Sequence, residues 1–302
     1  MTEGRAPHLF CFGLGYSAEA LARALVAEGW TISGTCREPA RVERLQESGV
    51  RVHLFDRDHP LDDPAGAFAD VTDILSSIPP DEHGDVVLDH HAAEIIALEG
   101  LRWVGYLSTT GVYGSTEGQV VAEDAPLSSS TERGRRRVEA EQCWRDPWKI
   151  HGVPVHVFRL AGIYGPGRSV FDQVRAGTAR RIDRPGHVFS RIHVDDIARI
   201  LHASMANPDA GAVYNVTDDE AVEPSTVVAF ACGLLGREPP TMVPLEVAAE
   251  EMSPMALSFW NDNRRVDNSR IKRDLGIQLR YPNYRAGLAA VLQAEAEMDA
   301  DR

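Results

Sequence analysis

The chain has 302 residues, 43% hydrophobic and 25% charged, which excludes disordered, collagen-like and coiled-coil architectures and allows one large domain or two coupled ones. Asp and Glu number 45 against 31 Lys and Arg, a formal charge of −14 with the wrong sign for sequence-independent attachment to a phosphate backbone, so nucleic acid is not an expected partner. Cys11, Cys36, Cys143 and Cys232 are scattered without ligand-like spacing, MTEGRAPHLF lacks a basic start followed by an apolar stretch, and no run approaches the roughly 20 apolar residues of a membrane helix. A soluble, unexported protein of the reducing cytoplasm, with no membrane partner and no disulfide framework or zinc site, is therefore expected.

From the start, short apolar runs alternate with helical periodicity, the pattern of β-α-β units and a parallel sheet covered on both faces. Residues 8–13, HLFCFG, read as a buried strand. Ala18, Leu21, Ala22, Leu25 and Val26 then form the stripe of an amphipathic helix that Gly29 ends. Further strands are predicted over 30–36, 50–55, 72–78, 101–108 and 153–160, giving an α/β, doubly wound parallel (Rossmann) sheet.

After Gly165 the texture changes, with Pro166, Gly167, Pro185 and Gly186 breaking the chain. RRIDRPGHVF, 180–189, reads as a hairpin, 195–206 as a helix and AVYNV, 212–216, as one more sheet strand. Helices are expected near 225–235, 245–252 and 286–298, with an irregular polar passage over 253–268. The division expected is 1–165 as a dinucleotide-binding domain and 166–302 mostly as a small substrate cap, with 187–218 returning to the sheet. The cap is too short and broken to suggest a core of its own.

The first strand leads directly into Gly13-Leu14-Gly15-Tyr16-Ser17-Ala18 and then the amphipathic helix, the context a dinucleotide fingerprint requires. Gly13 permits the tight turn, Gly15 lets backbone approach a pyrophosphate, and Ala18 keeps helix and strand close. The helix amino terminus offers unpaired N–H groups to phosphates, so an acidic protein can still hold an anion locally. Where an NAD site usually carries an Asp or Glu, this chain has Cys36 followed by Arg37. A guanidinium can fork onto a 2′-phosphate that a carboxylate would repel, which favours NADP while leaving NAD possible. The lesser alternative is that Arg37 is one more surface arginine, since all but Lys149 and Lys272 of the 31 basic residues are Arg. Asp56 either meets the adenine amino group or caps the following turn.

Taken with Ser76-Ser77-Ile78-Pro79, the stretch Leu107 to Gly114, the stretch Arg159 to Arg168, and Arg191-Ile192-His193-Val194-Asp195-Asp196, these motifs resemble the extended short-chain dehydrogenase/reductases. Nucleotide-sugar epimerases and dehydratases belong to that family, and the resemblance spans nearly the whole chain. It implies that Ser76, Ser77, Ile78 and Pro79 lie beside the cofactor ribose, and that Leu107, Leu160, Ala161 and Ile163 approach the cofactor, the last three near its nicotinamide. It also implies that Thr109, with Ser108 beside it, binds the reacting oxygen.

The family's Tyr-x-x-x-Lys pair is missing, because Arg145 stands four residues before Lys149 and Asn268 four before Lys272. The resemblance puts Arg133 at the Tyr position and Arg137 at the Lys position. Arg137 can still donate to ribose hydroxyls. Arg133 stays protonated at neutral pH and cannot take a proton as a phenolate does. Tyr113, Tyr164 and His193 remain as proton-transfer candidates, although in the family the last position more often ties cap to sheet. His90-His91 lacks a third ligand nearby and reads as a solvated helix face. The cluster Arg133, Arg135, Arg136 and Arg137 either receives an anionic substrate or forms an exposed turn.

Two functions compete. One is an atypical oxidoreductase or epimerase-like enzyme using NADP for hydride transfer on a carbonyl- or sugar-like small molecule, with a non-standard proton donor. The other is a catalytically inactive NADP-binding sensor or regulatory protein. The family's habit of pairing through two helices implies a homodimer.

Overall fold

In a computed structural model of the chain, residues 6–47 and 50–300 are described. Residues 1–5, and with them the start of the expected first unit and of the amino-terminal leader reading, lie outside the described residues, as do 301 and 302 at the end of the expected cap.

The apolar runs become strands β1 (His8–Phe12), β2 (Thr31–Cys36), β3 (Arg51–Leu54), β4 (Asp73–Ser76) and β5 (Trp103–Thr109). Between and after them come helices α1 (Tyr16–Ala27), α2 (Pro39–Glu47), α3 (Pro64–Ala67), α4 (Val86–Ile96) and, past the short β6 (Val120–Val121), α5 (Glu132–His151). β7 (Val155–Leu160) completes the run of six predicted sheet strands. The carboxyl-terminal part contributes β8 (Gly162–Tyr164), α6 (Val170–Arg175), β9 (Arg181–Asp183), β10 (Arg191–His193), α7 (Val194–Ala206) and β11 (Val213–Val216). It continues with α8 (Pro224–Leu234), β12 (Met242–Pro244), α9 (Leu245–Ala249), α10 (Pro254–Ser258), β13 (Arg265–Val266), α11 (Ser269–Leu275) and α12 (Tyr284–Ala300).

Seven strands form one sheet in the order β11-β7-β5-β4-β1-β2-β3, every pairing parallel. Strands covered on both faces lose their alternation, and every residue of β1 and β7 is indeed buried. On one face, Ala18, Leu21 and Leu25 of α1 and Ile197, Ile200 and Leu201 of α7 join the sheet residues in one core. Val26, expected in that stripe, lies 48% exposed at its margin. The other face packs Val87 and Ile95 of α4 and Ala140 and Trp144 of α5. Strand order reverses between β1 and β4, and an open parallel sheet gathers ligand at such a switch point, beyond the carboxyl ends of its strands.

Three expectations for the carboxyl-terminal part are corrected. Residues 180–189 do not form a hairpin: Arg181–Asp183 runs parallel to Met242–Pro244, while Phe189 bridges Val222, so the Pro185-Gly186 turn separates strands with different partners. Residues 253–268 are not wholly irregular, since they contain α10 and β13, the latter parallel to β6. The cap also has a core of its own, in which Phe171, Val174, Val228, Ala231, Leu288 and Val291 unite α6, α8 and α12. Within 187–218, β11 enters the main sheet, whereas β10 pairs with β8 apart from it.

Candidate coenzyme and substrate site

The turn after β1 is pinned from both neighbouring strands. Gly13 has φ +82° and an added Cβ would stand 2.9 Å from Ser77 Oγ and Ile78 Cγ1, so glycine is demanded by conformation and by space together. Its N–H donates to Thr35 Oγ1 at 2.9 Å, and Ser77 Oγ donates to its carbonyl at 2.6 Å. Leu14 donates to the Thr35 carbonyl at 2.8 Å and accepts from Arg41 Nη2 at 2.5 Å. Gly15 differs: a Cβ there would meet nothing within 4 Å, and as N-cap of α1 it brings no side-chain acceptor to the first turn. The leading amides of the helix, at Tyr16, Ser17 and Ala18, are thus left for an anion.

Two cavities meet at this turn, sharing Gly15 and Ser77. The outer one, about 560 Å³, is lined by Thr35, Cys36, Arg37, Asp56, Ile78 and Pro79 among others. Two of its guanidinium groups are neutralised, Arg41 by Glu19 and Arg57 by Asp81 and Asp89. Arg37 is exposed and makes no side-chain hydrogen bond or ion pair among the described residues. Asp56 takes the capping role: it accepts from the amides of Asp58 and His59 at 2.9 Å and from the His59 ring at 2.8 Å. Desolvation raises its carboxyl, yet these bonds outweigh that and hold it below the usual range. Ser76 does not line the cavity; it is wholly buried in β4 with its hydroxyl unpaired.

The central cavity, about 580 Å³, lies between the ends of β5 and β7 and the cap, and Leu107, Leu160, Ala161 and Ile163 form part of its wall. Thr109 faces it with its oxygen accepting from Gly111 N–H at 3.1 Å, which leaves the hydroxyl hydrogen to donate elsewhere. Ser108 is less available, because its hydroxyl donates to the buried Glu141 carboxylate at 2.5 Å. Arg133 and Arg137, four apart on α5, both line the cavity. Arg137 Nη1 donates to the Leu107 carbonyl at 2.6 Å and Tyr106 Oη at 3.1 Å. Arg133 is exposed and unpaired among the described residues.

None of the three proton-transfer candidates presents a free polar atom to this space. Tyr113 donates to Asn215 Oδ1 at 2.6 Å and accepts from Arg159 Nη1 at 2.8 Å, inside a buried network that ends on Glu141. The Tyr164 ring reaches the wall, but its hydroxyl is buried without a partner where a Cβ on Gly287 would stand 1.9 Å away, and burial raises its pKa. His193 caps α7, accepting at Nδ1 from Asp195 N–H at 3.2 Å, and its ring packs on Tyr281 at 4.1 Å. Burial lowers its pKa. His90-His91 is not a solvated face: His91 is 2% exposed, accepts from Leu61 N–H and stacks on Phe12. No cluster of metal-ligating residues occurs among the described residues.

Around the central cavity the charge of the molecule is inverted. Arg133, Arg137, Arg168, Arg191 and Arg264 line it and, among the described residues, Asp262 is the one acid that does, paired with Arg264 at 3.0 Å. Arg191 donates to the Phe189 and Val222 carbonyls, which are neutral acceptors, and makes no direct ion pair among the described residues, although Asp218 and Glu220 lie near enough to act on it. Arg191 opened one of the motifs read from the sequence but was given no role there, and nothing in the sequence singled out Asp262.

A parallel sheet with a glycine turn at its switch point, and paired cavities meeting there, defines a Rossmann-type nucleotide-binding fold. The chain belongs to the NAD dependent epimerase/dehydratase family, which matches residues 13–217. It is 48% identical to a functionally unknown conserved protein from Silicibacter pomeroyi, with 96% of this chain and 99% of that one covered and a TM-score of 0.87. Protein YeeZ of Escherichia coli is 26% identical over 293 residues, 90% of this chain and 95% of YeeZ. MoeE5, solved with UDP-glucose and NAD, shares the fold at 19% identity, 97% and 99% coverage and a TM-score of 0.77.

Proposed function

We propose that the protein holds NADP across the two cavities and uses it for hydride transfer on a carbonyl- or sugar-like small molecule carrying negative charge, without a phenol as proton donor. The observation that carries this reading is the pair Arg133 and Arg137, lining the cavity beside Thr109 where the family resemblance implies Tyr and Lys. The residues fit the dinucleotide: the cradle at Gly15 is open, and the glycine turn is braced by Thr35 and Ser77.

When bound, the nicotinamide would supply or accept the hydride. Thr109 donates a hydrogen bond to the substrate oxygen and keeps its own proton, so the proton that balances hydride addition to that oxygen would come from a water molecule. Arg133 stabilises negative charge there, since a guanidinium remains charged and cannot relay the proton itself. Arg137 braces the end of β5 and reaches ribose hydroxyls with its remaining donors. Leu160, Ala161 and Ile163 exclude water from the nicotinamide side. Arg191 and Arg264, on the cap side of the cavity, hold the anionic part of the substrate.

Arg37, a cation of the outer cavity without a side-chain partner among the described residues, sets the preference for NADP. Fluorescence titration is expected to show NADPH binding roughly tenfold or more tighter than NADH, from charge-assisted bonds worth about 1.5–3 kcal/mol. Arg37→Ala should close that gap, whereas equal affinities in the wild type would remove Arg37 from the reading.

The occupied hydroxyls of Tyr16 and Tyr113 and the buried one of Tyr164 favour a second reading, a sensor that binds NADP without turnover. NADPH oxidation with a panel of acidic ketones, imines and nucleotide sugars separates the two. Its cysteines are unpaired among the described residues and no described helix is long and apolar enough to cross a membrane, which supports a reducing cytoplasm as its place of action.

A further inference from the structure

The stretch Gly165-Pro166-Gly167-Arg168 closes a tight turn. Gly165 N–H donates to the Arg168 carbonyl at 3.1 Å and Arg168 N–H returns the bond at 3.0 Å. Proline at the second position and Gly167 at φ +69° in the third suit a type II turn, which is stiff because both residues are already restricted to the conformation it needs. This turn is tied to the glycine loop across 150 residues of chain, for Tyr16 Oη donates to the Pro166 carbonyl at 2.9 Å. The approach requires Gly165, since a Cβ there would lie 2.5 Å from Tyr16 Oη and 2.7 Å from Val194 Cγ1.

Arg168 projects from the turn with its guanidinium carbon 5.6 Å from the centre of the Tyr16 ring. A cation over an aromatic face is held there by the ring quadrupole. The side chain makes no hydrogen bond or ion pair among the described residues, although Asp195 and Glu295 lie near enough to act on Tyr16. An exposed arginine in a chain rich in acids, fixed in orientation yet unpaired, is arranged for an anion from outside. Its location selects which anion. Tyr16 directly follows the open cap Gly15, and Gly15, Tyr16, Ser17 and Arg168 share one stretch of the central cavity wall.

We propose that Arg168 is the second half of the pyrophosphate site, a positioning arm that closes over the diphosphate from the cap side while the amino terminus of α1 holds it from below. The role rests on the coenzyme reading above. The turn that carries Arg168 leads directly into α6, so the arm is rooted in the carboxyl-terminal part while its partner, the glycine loop, belongs to the sheet.

The test uses three probes on the full chain: NADPH by fluorescence, with ADP-ribose and 2′-AMP by competition. Arg168→Ala is expected to raise the Kd of NADPH and of ADP-ribose about tenfold or more while leaving 2′-AMP within about twofold, and Arg168→Lys to recover part of the loss. Arg37→Ala should give the complementary pattern, weakening NADPH and 2′-AMP and sparing ADP-ribose. An Arg168→Ala protein that binds NADPH and ADP-ribose like the wild type overturns the proposal, as does an equal loss for all three probes. If wild-type protein binds neither NADPH nor ADP-ribose, the coenzyme reading is lost and the arm with it.

Discussion

Glu141, on the buried side of α5, has both carboxylate oxygens committed. Ser108 Oγ donates to it at 2.5 Å, and Arg159 meets it through Nε at 3.1 Å and Nη2 at 2.7 Å. Arg159 also spans to Tyr113 and the Glu123 carbonyl, so one buried ion pair organises the strand ends beneath the cavity. Removing one member of such a pair strands the other in a dry interior. Glu141→Ala should therefore cost about 3–5 kcal/mol, read from the urea midpoint. Tyr113 shows why this was illegible in sequence. A tyrosine within Val112-Tyr113-Gly114 looks like an available phenol, and nothing local announces that Arg159, 46 residues away, occupies its oxygen.

Helices α4 and α5, which share a core, are also bridged by one buried side chain. Asp85 caps α4 by accepting from Val87 and Leu88 N–H at 3.1 and 3.2 Å, and accepts from the Trp144 indole of α5 at 2.8 Å. Asp85→Ala removes the cap and leaves a buried indole N–H unpaired, a loss of about 2–4 kcal/mol that chemical denaturation would measure. A stability within experimental error of the wild type would show that the two helices are held by packing alone. Elements differed in how readily they could be read. The six main strands and α1 stood out because a strand buried on both faces is a continuous apolar run and α1 carries its stripe openly. The buried face of α5 includes Arg137 and Glu141, so its apolar periodicity is weak despite 20 helical residues. Strands of two or three residues, such as β6, β9 and β13, are too short to show any period.

At the scale of the molecule, burial sets opposing pH dependences. Desolvation pushes the Asp218 carboxyl up to about 8, reinforced by Asp219 and Glu220 and opposed by the Glu220 amide and Arg191. Desolvation also pulls His156 and His187 down to about 4. The Asp218 contribution is present in full below an unfolded value of about 3.9 and is lost as pH rises through 8, where a charged carboxylate must stay buried. The histidine contributions run the other way, complete above about 6.5 and lost as pH falls toward 4. Above the histidine window Asp218 alone of the three titrates, so the urea midpoint should fall from about pH 6.5 to 8.5 and Asp218→Asn should flatten the slope. A flat wild-type profile there would contradict the burial of Asp218 with its Oδ2 unpartnered. By itself the sequence determined the parallel sheet, the glycine turn and the absence of a Tyr-x-x-x-Lys pair, because these depend on residues adjacent in the chain or one helical turn apart. Only the tertiary structure decided which tyrosines are occupied, that the cap has its own core, and that arginines from α5, β10 and the loops face one cavity inside an acidic protein. Burial, hydrogen-bond partnership and local potential are sums over neighbours in space, and most of those neighbours are tens of residues apart.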